Sequence, residues 1–445
     1  MNYSINLEKV AKELIKIEKI DEIGRKSQEI SLDIIRNVLE SIDEEIFKSR
    51  TRKEFYESKG KEERTIVFLQ GAVTFKRRRY HDLRYGKNVY LLDVILGLGK
   101  RKRYTPGVIK LAIENALEMR SYKQAGEKTL GNIGIVIGKS SIYKWLQECR
   151  FEEKEVKKKE CEVLTISADG TFPHINNTSK NKELKIFNFY SVRERIEKNK
   201  YKIDSEIYSP RRQGAILRTW EQTLEYITKI YDVSKIKKIY VCGDGAGWIK
   251  KIMDESVEFK NNWIREIEIE YVIDKYHFKK ELYGLPGQDK YQIEEILNYY
   301  KEGDVTPFKD DEWMIKGLKK KENRVRAEYI LKNDEYTQGW YKEDYLGCNM
   351  EMVMSHYICD RFKGSPKIWG KMIYKYSYGL CLLKNKKLEI KLEEEKDIDY
   401  IENIKIRFKD KELYYGNYKE RSNMPLLNEG TGGIRNWAIN SLVHY

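Results

Sequence analysis

The chain has 445 residues, a length typical of about two to four domains with a sizeable hydrophobic core. Its 85 Lys and Arg side chains outnumber its 71 Asp and Glu side chains, and the net charge of +14 favours a polyanionic partner. The six cysteines form no C-x-x-C pair, which argues against a disulfide framework and a zinc ribbon. No apolar run approaches the roughly 20 residues that span a bilayer, and no signal-peptide core follows Met1, which argues against a membrane protein.

The first 104 residues predict a helical region followed by a small β region. Apolar residues recur with helical spacing between 7 and 17 and between 30 and 42, so residues 1–60 form an N-terminal helical region. The period then changes to that of short strands, which defines a small β region over 61–104. The predicted strands are 64–69, 71–75 and 89–92.

Two clusters of basic residues in the β region are candidate contacts for DNA phosphates. The first cluster directly follows the second predicted strand, where an exposed basic strand end would be open to a phosphate backbone. Simple solvation of the charges is the alternative, and an AT-rich coding sequence would also enrich lysine. The clusters are Lys76, Arg77, Arg78 and Arg79, and Lys100, Arg101, Lys102 and Arg103.

The region 105–150 has the outline of a helix-turn-helix. Pro106 marks the start of a helical pattern, a turn is expected at 131–134, and Ser140 is expected to cap the following helix. In a helix-turn-helix that second helix enters the major groove of DNA. The residues that would face the groove are Ser140, Ser141, Tyr143 and Lys144.

The middle of the chain predicts an α/β core. Apolar runs and helical patterns alternate as three strands, helix, strand, helix, strand, which is the order expected of a ribonuclease-H-like mixed sheet. We assign this core to 159–287 and 341–385, a helical insertion to 288–340, and a C-terminal region to 386–445. The predicted core strands are 163–166, 185–190, 202–208, 236–241 and 269–273.

Acidic residues follow three of these strands. Asp169, Asp244 and Asp274 each come after a strand, and ligands gather outside strand ends in sheets of this kind. Glu351 lies in a later segment of helical character. Carboxylates delivered from strand ends and a helix can hold two divalent cations beside a phosphodiester. We therefore predict that Asp169, Asp244 and Glu351 bind two Mg²⁺ or Mn²⁺ ions. Asp274 is the alternative third ligand.

Other residues near these motifs have simpler interpretations. His277 and His356 are candidates to orient phosphate or water, although we prefer to interpret both as partly buried histidines with satisfied rings. An Asp after a strand also commonly caps a turn or helix. A metal site of Cys348, His356 and Cys359 would lack a fourth soft ligand and is not expected. Trp248 is expected in the core and not as a base-stacking residue.

The motifs together resemble the ISLre-type insertion-sequence transposases of bacteria over nearly the whole chain. Each motif alone is weak, but the set in this order is specific. The chain departs from the family pattern at Gly170-Thr171, where members tend to be more acidic, and at Met352, where members tend to have Gly. The matching tracts are 64–66, 71–80, 90–93, 121–125, 168–169, 243–249, 274–277 and 348–361.

The resemblance implies a DDE-type transposase with a ribonuclease-H-like core. Such an enzyme binds insertion-sequence ends and catalyses metal-dependent strand cleavage and strand transfer, by in-line attack of water and then of a DNA 3′-hydroxyl. Its implied partners are double-stranded DNA, as terminal inverted repeats and as target, and further copies of the chain, because a dimer or larger assembly must hold both ends. We expect it in the bacterial cytoplasm, associated with the nucleoid and not with a membrane.

Two alternatives remain open at this point. One is a non-enzymatic helix-turn-helix DNA-binding protein with a degenerate core. The other is a different nuclease or resolvase with the same ribonuclease-H-like fold. Dependence of DNA cleavage on divalent cations separates the first alternative from the enzymes, because a repressor binds duplex DNA without them.

Overall fold

The computed structural model describes residues 20–176, 183–197, 200–254, 258–285, 290–303, 321–363, 369–370, 372–392, 404 and 408. Over these residues the protein is mixed α/β with a central mixed sheet, which confirms the predicted class at this level. The chain divides into two compact units, Met1–Arg150 with Ile390–Tyr445, and Phe151–Glu389. No helix in the described ranges is long and apolar enough to cross a membrane. The helix predicted at 7–17 and most of the region 386–445 lie outside these ranges.

The described part of the first unit consists of two helices, a small antiparallel sheet and four further helices. The helix predicted at 30–42 is part of a longer one, and the strands are hydrogen-bonded in the order β1-β2-β3. The elements are α1 (Ile20–Lys48), α2 (Arg50–Phe55), β1 (Tyr56–Phe68), β2 (Gly71–Asp82), β3 (Asn88–Val89), α3 (Leu91–Ile95), α4 (Pro106–Glu118), α5 (Tyr122–Ile133) and α6 (Lys139–Glu148).

Helix α1 packs on strand β2 because both present apolar side chains on one side. In β2, Val73 and Phe75 are buried, while Thr74 between them and the flanking Ala72 and Lys76 are exposed. In α1, Leu39 and Ile46 are buried in the same cluster, which also contains Leu91. The alternation along β2 and the helical spacing in α1 therefore build one hydrophobic core.

The hairpin of β1 and β2 is longer than predicted. The strands continue beyond their apolar runs, with charged residues such as Glu62 and Arg77 paired across them. The predicted third strand, 89–92, is wrong beyond its first residue, because helix α3 begins at Leu91. That helix buries Asp93, whose carboxylate forms an ion pair with Arg77.

Helices α4, α5 and α6 pack against one another. Ser121 caps α5 by accepting the backbone N–H of Gln124, and Gly134 ends it in the left-handed conformation at φ 71°. The predicted cap at Ser140 is wrong, because α6 begins at Lys139 and its N-cap residue is Gly138, two residues before Ser140. A glycine offers no side-chain oxygen to the helix start.

The central sheet of the second unit has the strand order β11-β10-β5-β6-β9. Strand β5 runs parallel to β10, and β10 runs parallel to β11. Strand β6 runs antiparallel to β5 and to β9. From residue 150 onward the described strands are β4 (Arg150–Glu153), β5 (Val163–Thr171), β6 (Leu184–Tyr190), β7 (Arg193–Glu197), β8 (Lys200–Ile203), β9 (Glu206–Tyr208), β10 (Lys238–Gly243), β11 (Glu268–Ile273) and β12 (Leu388–Lys391).

The strand predicted at 202–208 is interrupted. Strand β8 belongs to a separate hairpin with β7, and only β9 joins the central sheet. Asp204 lies between the two strands, and its Oδ1 accepts the backbone N–H groups of Ser191 and Val192, each at 2.9 Å. The Asp204 carboxylate thus binds the backbone N–H groups of the turn at 191–192, and the chain leaves the extended conformation between β8 and β9.

Helices follow the strands in the second unit. The predicted insertion 288–340 is helical where it is described, and 304–320 lie outside the described ranges. Helix α12 continues without a break through a π-helical turn, Met354–Cys359, into α13. The helices are α7 (Ile216–Ile230), α8 (Gly247–Lys250), α9 (Lys275–Tyr283), α10 (Lys290–Glu302), α11 (Lys321–Asn333), α12 (Met350–Val353), α13 (Asp360–Phe362) and α14 (Ile373–Lys384), with 3₁₀ segments at Val233–Lys235, Lys251–Met253, Asn262–Glu266 and Asp334–Tyr341.

Large aromatic side chains cover one face of the central sheet. Phe187 of β6 packs edge-on against Trp220 of α7, at 5.1 Å between ring centroids, and against Trp248, at 5.7 Å. Trp220 Nε1 donates to the carbonyl oxygen of Trp248 at 2.8 Å, so its polar atom is satisfied inside the core. Burial of a large apolar side chain contributes roughly 1.5–3 kcal/mol. The expected core position of Trp248 is confirmed.

Candidate functional site

Asp169 and Asp244 occupy adjacent positions on the parallel strands β5 and β10. Ser167 pairs with Cys242, so Asp169 and Asp244, each two positions further along, lie on the same face of the sheet. Asp244 directly follows β10, as predicted. We expected β5 to end before Asp169, and this is wrong. Pairing with β6 extends the strand and sets Asp169 opposite Ile186.

The glycines on both sides of Asp244 occupy positions where a side chain would clash or strain the backbone. A Cβ atom on Gly243 would lie 3.1 Å from the carbonyl oxygen of Ala168 and 2.5 Å from Cδ1 of Ile249. Gly245 adopts φ +92°, a conformation that side chains disfavour. The Gly-Asp-Gly sequence therefore allows β10 to approach β5 closely and the chain to turn directly after the carboxylate.

Glu351 belongs to a segment that crosses the same face of the sheet. Tyr240 OH donates to Oδ1 of Asp344 at 2.6 Å, and Tyr345 OH donates to Sγ of Cys242 at 3.1 Å. Helix α12, which carries Glu351, packs against β5 and β6. The side chain of Glu351 is exposed.

The three carboxylates act on one another electrostatically. Burial raises the pKa of Asp169 to about 6, and the negative charges of Asp244 and Glu351 add to the increase. The backbone N–H of Gly170, 2.6 Å from Asp169 Oδ1, and the nearby ring of His277 act in the opposite direction. Asp244 and Glu351 thus lie within electrostatic range of Asp169, and we call these three carboxylates the acidic trio.

Asp274 lies at the same edge, and each of its carboxylate oxygens has one hydrogen-bond partner. It follows β11, and its N–H donates to the carbonyl oxygen of Gly243 at 2.8 Å. Oδ1 accepts the N–H of Tyr276 at 3.3 Å and so caps α9, and Oδ2 lies 2.5 Å from Nδ1 of His277. The contact with Asp274 raises the pKa of His277, and Asp169 contributes. His277 therefore lies within electrostatic range of Asp169 and Asp244.

Comparison with known proteins identifies the chain's family. A profile of the uncharacterised protein family UPF0236 matches residues 10–375. The chain belongs to the UPF0236 family. Two similar relatives are UPF0236 proteins of Caldanaerobacter subterraneus subsp. tengcongensis. The first is 27% identical over 386 residues, covering 83% of this chain and 79% of the relative, and the second is 27% identical over 365 residues, covering 80% and 73%. The name of the first relative carries eleven locus designations.

One acidic residue next to Gly170 escaped sequence reasoning in this UPF0236 protein. A Cβ atom on Gly170 would lie 2.0 Å from Oε1 of Glu183, so a carboxylate from the neighbouring strand end sits where a side chain of residue 170 would begin. Glu183 is held there by Trp248 Nε1 at 2.9 Å and by Lys185 Nζ at 3.1 Å. No local pattern signals this placement, because it depends on the pairing of β5 with β6.

The remaining metal-ligand candidates are dispersed. His356 has an exposed side chain in the π-helical turn, five residues after Glu351. Cys348 does not meet His356 and Cys359 as one ligand group. Among the described residues, the three side chains whose potential ligand atoms all lie within 4.8 Å of one another are Cys242, Asp274 and Cys348.

Two arginines predicted to contact DNA are instead buried in the first unit of this UPF0236 protein. Arg78 forms ion pairs with Asp43 at 2.8 Å and with Glu44 at 2.6 Å. The guanidinium group of Arg77 lies 3.4 Å from the ring centroid of Tyr90 and pairs with a buried carboxylate. The expectation of an exposed basic strand end is therefore wrong for both residues, because β2 continues through them.

The other predicted DNA contacts are accessible to different degrees. Arg79 is half-exposed and pairs with Glu62 at 3.1 Å. Ser141 is partly buried. The exposed residues are Lys76, Lys100, Arg101, Lys102, Arg103, Ser140, Tyr143 and Lys144.

We expect Asp169→Asn to stabilise the cation-free protein at pH 7. Because the folded-state pKa of Asp169 is about 6 against an ordinary 3.8, the folded state loses stability as pH rises from about 4 to about 6. The whole pKa shift corresponds to a loss of roughly 3 kcal/mol in the free energy of unfolding, which solvent screening reduces to about 1–2 kcal/mol. The variant should therefore melt about 2–8 °C higher at pH 7. Thermal denaturation in EDTA at pH 4 and pH 7 checks this, and a difference in Tm that is the same at both pH values contradicts it.

Proposed function

We propose that this UPF0236 protein is a DDE-type transposase that binds insertion-sequence ends and catalyses metal-dependent strand cleavage and strand transfer. The observation that carries the proposal is the acidic trio. Asp169 lies on β5, Asp244 follows the parallel strand β10, and Glu351 lies on a helix that packs against β5. The charges of Asp244 and Glu351 both act on Asp169. Such an arrangement of carboxylates suits a pair of divalent cations beside a phosphodiester.

The strand order supports a ribonuclease-H-like core. The first three strands of the central sheet, β5, β6 and β9, are antiparallel neighbours, and β10 and β11 add in parallel on the other side of β5. This is the order that we expect of that fold. It sets the first and fourth strands side by side, which is why Asp169 and Asp244 become neighbours although 75 positions separate them (244 − 169).

The donor atoms of the trio fit Mg²⁺ or Mn²⁺, because both ions prefer hard oxygen ligands. The oxygen atoms of the trio do not all lie within 4.8 Å of one another in the cation-free protein. Binding of two ions roughly 3.5–4 Å apart would therefore require the three side chains to turn toward the ions. Asp169, Asp244 and Glu351 would hold the ions, which when bound activate the attacking hydroxyl and stabilise the leaving oxygen.

The chain's own residues would prepare the site for this chemistry. The carboxylates repel one another when ionised, and a bound dication relieves that repulsion, so the trio favours cations over water. His277, held by Asp274 and favoured in its protonated form, would donate a hydrogen bond to a phosphate oxygen or to water. The hydrogen bond between Nδ1 of His277 and Oδ2 of Asp274 fixes the orientation of this ring.

The repeated genes of a relative support a mobile element. The name of one similar protein carries eleven locus designations from a single organism, and that of another carries four. Many copies of one gene in one genome are typical of sequences that move. The exposed residues of α6 and of 100–103 would bind double-stranded DNA, as terminal repeat and as target, and a dimer or larger assembly in the cytoplasm would hold two ends.

A strand-transfer assay tests the function. The full-length chain is incubated with duplex DNA that carries the inverted repeats flanking a genomic copy, with Mn²⁺ or Mg²⁺ or with EDTA. We expect cleavage at the repeat ends and joined products with either cation, and neither product in EDTA. Binding without cleavage under all conditions would favour the non-enzymatic DNA-binding protein. Cleavage without joining would favour a nuclease or resolvase.

A further inference from the structure

A second cluster of potential metal ligands lies on the sheet strands that carry Asp244 and Asp274. Its members are Cys242 on β10, Asp274 after β11, and Cys348 in the segment that precedes α12. One ligand atom from each lies within 4.8 Å of the other two. Cys242 is fully buried, Asp274 is 6% exposed, and Cys348 is partly buried. The three side chains are thus shielded from bulk water.

The fold holds these groups in place through contacts on several sides. Cys242 is fixed between two parallel strand neighbours, and Tyr345 OH donates to its sulfur. Gly347, in a left-handed conformation at φ +80°, turns the chain so that its carbonyl oxygen accepts the hydroxyl of Tyr190. Cys348 follows that turn directly. The position of its thiol is therefore set by the bonds that anchor the preceding residues to the sheet.

We propose that Cys242, Cys348 and Asp274 bind one thiophilic divalent cation, with Zn²⁺ as the reference ion, at a site separate from the acidic trio. Zinc binds thiolate sulfur at about 2.3 Å and carboxylate oxygen at about 2.0–2.2 Å, so its ligand atoms lie roughly 3.3–4 Å apart. A spread of at most 4.8 Å closes to that spacing by small side-chain rotations. Two thiolates and a carboxylate leave one coordination position of a tetrahedral ion for water.

The softness of the ligands separates the two sites. Thiolates select zinc-like ions, whereas the oxygen-only trio favours Mg²⁺ or Mn²⁺. His277 lies against the Asp274 oxygen at 2.5 Å and would orient this ligand from outside the metal shell, as outer-shell partners of metal ligands do. The two ions would therefore not compete for the same groups.

Occupation of this site would have a structural effect. The ion would join the segment of Cys348 to β10 and to the end of β11. Glu351 follows three residues later, at the start of α12. The cation would hold the helix that carries Glu351 against the sheet. The proposal itself depends on the geometry of the cluster and does not require DNA cleavage.

Cobalt substitution tests the site. The reduced, full-length protein is titrated with Co²⁺, whose thiolate complexes absorb in the near-ultraviolet by charge transfer. We expect this band in the native chain and its loss in Cys242→Ser and in Cys348→Ser. Cys381→Ser is the matched control, since Cys381 is buried in α14 outside the cluster, and it should keep the band. Asp244→Asn should also keep it, which distinguishes this site from the acidic trio.

The zinc content of the native protein is a second measurement, independent of the cobalt spectrum. Native protein dialysed with Zn²⁺ and then against buffer should retain about one ion per chain and release protons as the thiols ionise on binding. The two cluster variants should retain less than about a fifth of that amount while the control variant retains all of it. A native chain with free thiols and neither cobalt band nor retained zinc overturns the proposal, and so does a Cys242–Cys348 disulfide in the purified protein.

Discussion

Asp244→Asn is expected to lower the rate of cation-dependent strand cleavage by about 10³-fold or more, while the affinity for duplex DNA changes less than about threefold. The substitution removes one charge from the trio but retains the shape of the side chain. Its remaining carbonyl oxygen can still accept the N–H of Ala246, which Asp244 Oδ1 accepts at 3.0 Å. The loss therefore reports the missing charge and not a disordered turn.

Controls for this experiment come from the same sheet edge. Glu351→Gln should cause a loss of similar size. Asp274→Asn should cost about tenfold, because Asp274 affects the trio indirectly, through His277 and through the position of α12. Glu343→Gln, an exposed acidic residue on the segment that leads to Glu351, should retain native activity. Cleavage by Asp244→Asn at the native rate would contradict the assignment of the trio. A larger loss for Asp274→Asn than for Glu351→Gln would assign the third ligand to Asp274.

Arg78→Ala is expected to lower the free energy of unfolding of the first unit by about 3–5 kcal/mol. The Arg78 side chain is 10% exposed, and its loss would leave the buried Asp43 carboxylate without its ion-pair partner. The guanidinium group also stacks on Phe47 at 4.1 Å from the ring centroid, so the substitution removes packing as well. Urea denaturation at pH 7 measures the effect.

The pH dependence of that variant gives an internal check. Burial raises the pKa of Asp43 even with Arg78 in place, and the arginine acts in the opposite direction. Without Arg78 the pKa of Asp43 should rise further, so the deficit in stability should shrink as pH falls and the carboxylate becomes protonated. Lys100→Ala, on the exposed basic cluster, should change stability by less than about 0.5 kcal/mol. Native stability of Arg78→Ala together with weakened DNA binding would restore Arg78 as a phosphate contact.

Sequence patterns located the candidate site because its main elements carry local signals. The apolar runs before Asp169 and Asp244 predict strands, and parallel strands deliver their carboxyl ends to one edge. The extent of β5 was not predictable, because Asp169 and Gly170 are residue types that are depleted in strands. Its pairing with β6 extends the strand through Asp169.

Charged and thiol side chains were harder to predict, because their partners are distant in sequence. Four consecutive basic residues have the same pattern whether they face water or buried carboxylates. Arg78 is buried because α1 brings Asp43, 35 residues earlier in the chain, against β2. Likewise, no spacing rule joins Cys242 to Cys348, which become neighbours only when the segment before α12 crosses the sheet.

The π-helical turn after Glu351 has a consequence for how related chains are compared. A π-helical turn accommodates one residue more than the α-helical path, and each residue rotates an α-helix by about 100°. Side chains beyond Cys359 therefore point about 100° away from where a regular continuation of α12 would aim them. A relative with an uninterrupted helix would need a one-position gap in its alignment here, and otherwise residues such as Arg361 would be matched to the wrong side of the helix.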